Sequence, residues 1–144
     1  MSPEEFERLV GTTWDAMPSR FKERVENVAL LIEDEPSEAV RAEEGLAWGE
    51  TLLGLYHGIP ATERGEGYGI GATLPDTITL FRLPLLEEAH HLLHVRPDTL
   101  RSLEDGMREA VRETLWHEVG HYFGLSEHEI DEREDEGSNL FHAS

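Results

Sequence analysis

The feature that most constrains how this chain can fold is a helical pattern near its C-terminal end that runs into a glycine. Leu103, Met107, Ala110, Thr114, His117 and His121 recur at steps of three and four residues, the period of one helix face. The spacing predicts a helix over about residues 99–123, with both histidines on the extension of its apolar face. Leu115, Val119 and Tyr122 form a second stripe beside the first, so the C-terminal part of this helix has to be buried on most sides and the core has to wrap around it. Pro97 breaks the chain ahead of the helix and Asp98 is placed to cap its start. Gly124, three residues after His121, can end the helix in a left-handed conformation.

On that helix stands His117-Glu118-Val119-Gly120-His121. The H-E-x-x-H spacing sets two imidazoles one turn apart on one face, where they can grip a single metal ion. With eight His and 24 Glu in 144 residues, a shuffled chain would contain the pattern roughly 0.07 times. Context therefore has to add weight: a patterned helix before it, a glycine after it, and ligand-type residues next. Ser126 and Glu129 have capping-box spacing and start a short helix or turn whose first residues are Glu127 and His128. Either can return to the ion as third ligand and leave the fourth position to water. The competing structural reading makes His117 and His121 satisfied core histidines, with Glu118 in an ion pair.

Upstream, Ser2-Pro3-Glu4-Glu5 reads as a capped helix start, with an apolar stripe of Phe6, Leu9, Val10 and Trp14 behind it. Phe21 and Val25 suggest a short second helix beyond Pro18. Residues 28–32, Val-Ala-Leu-Leu-Ile, read as a buried strand stopped by Glu33-Asp34-Glu35-Pro36. Residues 37–50 read as a weak helix or an irregular connection, and residues 51–57 as a second strand. Glycines at 65, 67, 69 and 71 predict a loop; their spacing does not match a nucleotide-binding fingerprint. Residues 77–82 alternate best, with Ile78 and Leu80 on one face, and Pro84 argues that this strand sits at a sheet edge or ends there. Residues 85–94 look helical; His90 and His94 lie one turn apart but lack a neighbouring third ligand, so they read as surface or packing histidines.

A length of 144 residues fits one domain, expected to span residues 1–144. The formal net charge of −19 would repel a phosphate backbone, so nucleic acid is not an expected partner. There is no cysteine, which leaves His and carboxylate as the only ligands for a metal. No basic segment leads into an apolar run at the N-terminus and no stretch approaches the roughly 18 apolar residues of a membrane span. The expectation is a cytoplasmic protein without a membrane partner, its oligomeric state unread.

From His117 to Glu127 the chain reads H-E-x-x-H-x-x-G-x-x-E, which resembles the extended zinc motif of metzincin-type peptidases. As a whole, with Leu53-Gly54-Leu55-Tyr56-x-Gly58-x-Pro60 ahead of Leu74-Pro75-Asp76-x-Ile78, it is similar to the small bacterial zincin-like metallopeptidases, the minimal zincins, over most of residues 1–130. The resemblance implies an α+β fold in which a small mixed or antiparallel sheet packs against a long active-site helix and N-terminal helices. It implies Zn2+ held by His117, His121 and Glu127, with Glu118 as general base and acid for hydrolysis of a peptide or protein substrate. It also implies an edge strand, such as residues 77–82, that aligns an extended peptide. Two features depart from the wider pattern. No methionine comes after the motif, the three being Met1, Met17 and Met107, as the minimal family would imply. The third-ligand position carries Glu127 where Asp is expected, with His128 beside it. The alternatives are a metal-dependent endoribonuclease with a related H-x-x-x-H-x-x-G-x-x-H arrangement, opposed by Glu118 and the acidity, and a non-catalytic metal-binding module.

Overall fold

The computed structural model describes residues 1–17, 25, 27–58, 75–126, 128, 129 and 132. Among them, in chain order, run helix α1 (Pro3–Asp15), strand β1 (Val28–Glu33), the short helix α2 (Glu38–Glu43), strands β2 (Gly54–His57) and β3 (Asp76–Phe81), helix α3 (Arg82–Val95) and helix α4 (Leu103–Tyr122). The fold is α+β, with α4 at its centre, packed against α1, α3 and the sheet.

Local sequence accounts for most of the helix ends. At α1 the Ser2 hydroxyl accepts from the Glu5 N–H and the Glu5 carboxylate accepts from the Ser2 N–H, the reciprocal box expected there. α4 starts later than expected. Residues 99–101 remain in turns folded back on the Arg96 carbonyl, and Ser102, not Asp98, supplies the cap by accepting from the Asp105 N–H at 3.1 Å. α3 has no side-chain cap of its own. It leaves β3 directly, and Asp34, just past β1, satisfies its first turn by accepting from the Leu83 N–H at 3.0 Å and from Arg82 Nε at 2.8 Å. The second helix expected around Phe21 and Val25, and the glycine loop at 65–71, lie outside the described residues except for Val25.

The sheet has the order β1-β3-β2, with β1 parallel and β2 antiparallel to β3. This corrects one expectation: residues 77–82 are not an edge. Residues 77–81 belong to the central strand, whose Ile78, Leu80 and Phe81 are all fully buried, and Arg82 already begins α3. Of the two readings of Pro84 the strand end is the one seen: it lies in the first turn of that helix, a position where its missing N–H costs nothing. The edge nearest α4 is β2.

The core joins Phe6 and Val10 of α1, Ile78 and Leu80 of β3, Leu85, Ala89 and Leu92 of α3, and Met107, Val111, Leu115 and Val119 of α4, each at most 3% exposed. α3 and α4 approach so closely at Gly106 that a Cβ there would lie 2.6 Å from the Ala89 carbonyl oxygen. His90 and His94 are exposed on the outer face of α3, away from this core.

Candidate metal centre and catalytic carboxylate

Where α4 ends, it ends as its sequence dictates. Gly124 has φ +79°, a left-handed conformation that glycine adopts without steric cost. The Gly124 N–H donates to the His121 carbonyl at 2.9 Å and the Leu125 N–H to the Gly120 carbonyl at 3.0 Å, which together form a Schellman turn. The apolar contact that accompanies such a turn is present, since Leu125 packs against the core. The chain then reverses into the second predicted box: the Glu129 N–H donates to Ser126 Oγ and the Ser126 N–H to the Glu129 carboxylate, both at 3.2 Å.

His117 and His121 stand one turn apart on α4 with ring centroids 5.8 Å apart and planes at 75°. Two imidazoles sharing a tetrahedral zinc at N–Zn distances of about 2.0–2.1 Å would have centroids roughly 5 Å apart, so a small rotation about the side-chain torsions brings this pair to that geometry. Both are half-buried rather than facing the interior as expected. At this end of α4 the buried residues are Leu115, Trp116, Glu118, Val119, Gly120 and Tyr122, so the adjoining stripe of Leu115, Val119 and Tyr122 faces the core and the histidines flank it.

Glu118 is 9% exposed, and the fold holds it against strand β2. Leu53, whose carbonyl accepts from Phe81 N–H, continues the β2–β3 register, so Gly54 and Tyr56 direct their backbone groups away from β3. The Tyr56 N–H accordingly donates to Glu118 Oε1 at 3.0 Å. The neighbouring contacts repeat this register. Thr114, Glu118 and Tyr122 lie at i, i+4 and i+8 of α4, rising about 6 Å per step, and two strand residues advance about 6.7 Å. Gly54 therefore sits over Thr114, where a Cβ would approach Thr114 Cγ2 to 2.7 Å, and the Tyr56 ring meets Tyr122 edge-on with centroids 6.2 Å apart. The Tyr56 hydroxyl donates to Asp76 Oδ2 at 2.6 Å, at the base of β3, where Asp76 is 4% exposed.

Beside His117 and Glu118 opens a groove of about 360 Å³, bounded on one side by residues 51–54 and on the other by Glu88, Ala110, Glu113 and Thr114. Burial pushes the Glu113 carboxyl above the usual carboxylate range, outweighing the attraction of Arg96, whose guanidinium donates to it at 2.9 Å.

The structure thus brings together three of the four residues singled out from the sequence: His117, Glu118 and His121. Glu127 lies outside the described residues. Its rival His128 is described: its side chain is 82% exposed and its Nε2 lies 2.9 Å from the Glu132 carboxylate, not on the histidine pair. No group of three His, Asp or Glu side chains placed to hold a metal occurs among the described residues. The two imidazoles fit zinc as a pair. Sequence reasoning missed the seat of Glu118 on Tyr56 and the Tyr56–Asp76 bond. One signal was available: Gly54 interrupts an otherwise apolar strand, and a glycine there marks close approach of another element.

No curated protein matches the chain. A solved structure, a conserved hypothetical protein from Thermo thermophilus, is similar at 24% identity over 85% of this chain and 94% of its own, with a TM-score of 0.49. A family model for zincin-like metallopeptidases matches residues 25–137, a span that includes both the sheet and the H-E-x-x-H helix. The chain belongs to the zincin-like metallopeptidase family.

Proposed function

We propose that this protein is a zinc-dependent peptidase in which His117, His121 and Glu127 hold the ion and Glu118 moves the proton. The observation that carries the reading is the placement of Glu118: a carboxylate 9% exposed, anchored at one oxygen by a backbone N–H, one residue from a half-buried histidine and at the wall of a groove. The choice of Glu127 over His128 is supported by the pairing of His128 with Glu132 on the solvent side.

Zinc, when bound, supplies a Lewis acid that brings the pKa of water to about 7 and polarises a carbonyl. The remaining steps belong to the chain. His117 and His121 present their ring nitrogens from one helix face. The Tyr56 N–H fixes the Glu118 carboxylate so that it does not have to be oriented in the transition state. Glu118 accepts a proton from the attacking water and returns it to the leaving amine nitrogen, and its burial keeps bulk water from competing for that proton. An extended peptide lying in the groove meets the backbone of residues 51–54, which takes the aligning part first assigned to residues 77–82.

The test is metal content and peptide hydrolysis measured together. Wild type is expected to purify or reconstitute with one zinc and to cleave members of a diverse peptide pool. Glu118→Gln keeps the zinc and loses at least about 10²-fold in kcat, the usual scale of general acid–base catalysis. Hydrolysis that survives Glu118→Gln, or RNA cleavage that depends on His117, would reject the proposal.

A further inference from the structure

We propose that Gly54 and Thr114 act as a spacer that sets the distance between strand β2 and helix α4, and through it the position of the Glu118 carboxylate. This rests on the peptidase reading only in calling Glu118 catalytic. Along their common seam, β2 and α4 touch at three levels: Gly54 on Thr114, the Tyr56 N–H on Glu118, and the Tyr56 ring on Tyr122. The first level has no room for a side chain. A Cβ at position 54 would stand 2.7 Å from Thr114 Cγ2, against 3.2 Å from Leu80 Cδ2 and from the Thr79 carbonyl oxygen. The two 3.2 Å contacts ask for a few tenths of an ångström, and the Leu80 tip can give; the Thr114 methyl, on a stiff β-branched side chain 5% exposed, resists turning away.

Relief then comes from β2 moving off α4. Among the described residues the strand pairs with β3 alone, so it is the less constrained partner. A shift large enough to clear Thr114 lengthens the hydrogen bond two residues on, from 3.0 Å to beyond a useful length, and releases Glu118. His117 and His121 share the Thr114 side of α4 but belong to the helix, which stays in place while β2 moves, so zinc affinity and carboxylate placement become separable. Gly54 and Thr114 are positioning residues: neither touches the reacting atoms, and both act through β2.

The experiment compares Gly54→Ala, Thr114→Ser and the double variant, because Thr114→Ser removes the methyl that the new Cβ would strike. Residue-resolved hydrogen exchange of the Tyr56 amide, zinc affinity, and kcat and KM on a peptide pool are measured for each. Gly54→Ala is expected to speed Tyr56 exchange by roughly 10- to 100-fold, the scale of a hydrogen bond to a charged group. It is expected to lower kcat by up to about 10²-fold, as misplacement by about 1 Å does, and to leave zinc affinity within a few-fold. The double variant restores both exchange and kcat. Gly106→Ala, a destabilising change at the far end of α4, serves as the control for loss of stability alone: it should leave kcat unchanged and speed the exchange of core amides generally rather than that of Tyr56 selectively. Unaltered Tyr56 exchange in Gly54→Ala, no rescue by Thr114→Ser, or an equal kcat loss in Gly106→Ala overturns the spacer. A wild type that binds zinc and turns over nothing overturns the peptidase reading instead, and the exchange pattern then decides the spacer by itself.

Discussion

Replacing Gly106 by alanine isolates the contact that fixes α3 against α4. In an exposed helix interior, glycine to alanine gains about 1 kcal/mol through backbone entropy and propensity. Gly11 of α1 is such a site, with no heavy atom within 4 Å of where its Cβ would stand, so Gly11→Ala should stabilise by about 0.5–1 kcal/mol. Gly106 is the opposite case. Its Cβ would lie 2.6 Å from the Ala89 carbonyl oxygen and 3.2 Å from the Ala89 carbonyl carbon, both backbone atoms of α3. An ordinary contact begins near 3.4 Å, and no rotamer change can supply the missing separation. The two helices have to part, at about 2–3 kcal/mol for overpacking a tight interface. Subtracting the helix gain leaves a net loss of about 1–2 kcal/mol, or a fall in Tm of about 3–8 °C for a chain of this length. Urea unfolding of wild type, Gly11→Ala and Gly106→Ala reads the two signs directly, provided the m-value is unchanged. A Gly106→Ala protein as stable as wild type would show that the α3–α4 contact is not a rigid backbone stop.

Two further perturbations bear on the site and its groove. Glu127→Ala is expected to weaken zinc binding by at least about 10²-fold, whereas His128→Ala leaves it within a few-fold; competition titration against a chelator of known affinity separates them, and the reverse order would assign the third ligand to His128. Glu113 tests burial at the groove wall. Its folded pKa lies above the ordinary value of 4.5, because burial outweighs the pull of Arg96. The folded state therefore holds the proton more tightly than the unfolded chain. The stabilisation this gives is complete below the ordinary value and is lost as pH rises through the folded pKa. Glu113→Gln should accordingly gain stability relative to wild type as pH rises above the ordinary carboxylate value in parallel urea titrations. A constant or falling difference would place the Arg96 attraction above the burial cost.

What the sequence determined by itself is what depends on neighbours along the chain. The Ser2–Glu5 box, the Gly124 turn with its two hydrogen bonds and the Ser126–Glu129 box each involve residues no more than five apart, so residue type and spacing nearly fix their geometry. The stacking of His117 over His121 is equally local, since any helix places i and i+4 on one face. The resemblance of H-E-x-x-H-x-x-G-x-x-E to the metzincin zinc motif came from the same short-range order. Residues 77–82 show where this ends. Their alternation identified the strand, but not its place in the sheet, because strand order depends on which segments return to pair, and β1 and β2 come from roughly 20 or more residues earlier in the chain.

Only the tertiary structure decided the surroundings of Glu118. Its partner, the Tyr56 N–H, lies 62 residues away, and a backbone amide has no side-chain signature to read. The direction of that amide is set by the β2–β3 register and its distance from α4 by the absence of a side chain at Gly54. A sequence can name a carboxylate next to two histidines. Whether that carboxylate is buried and oriented is settled by elements that meet only when the chain has folded.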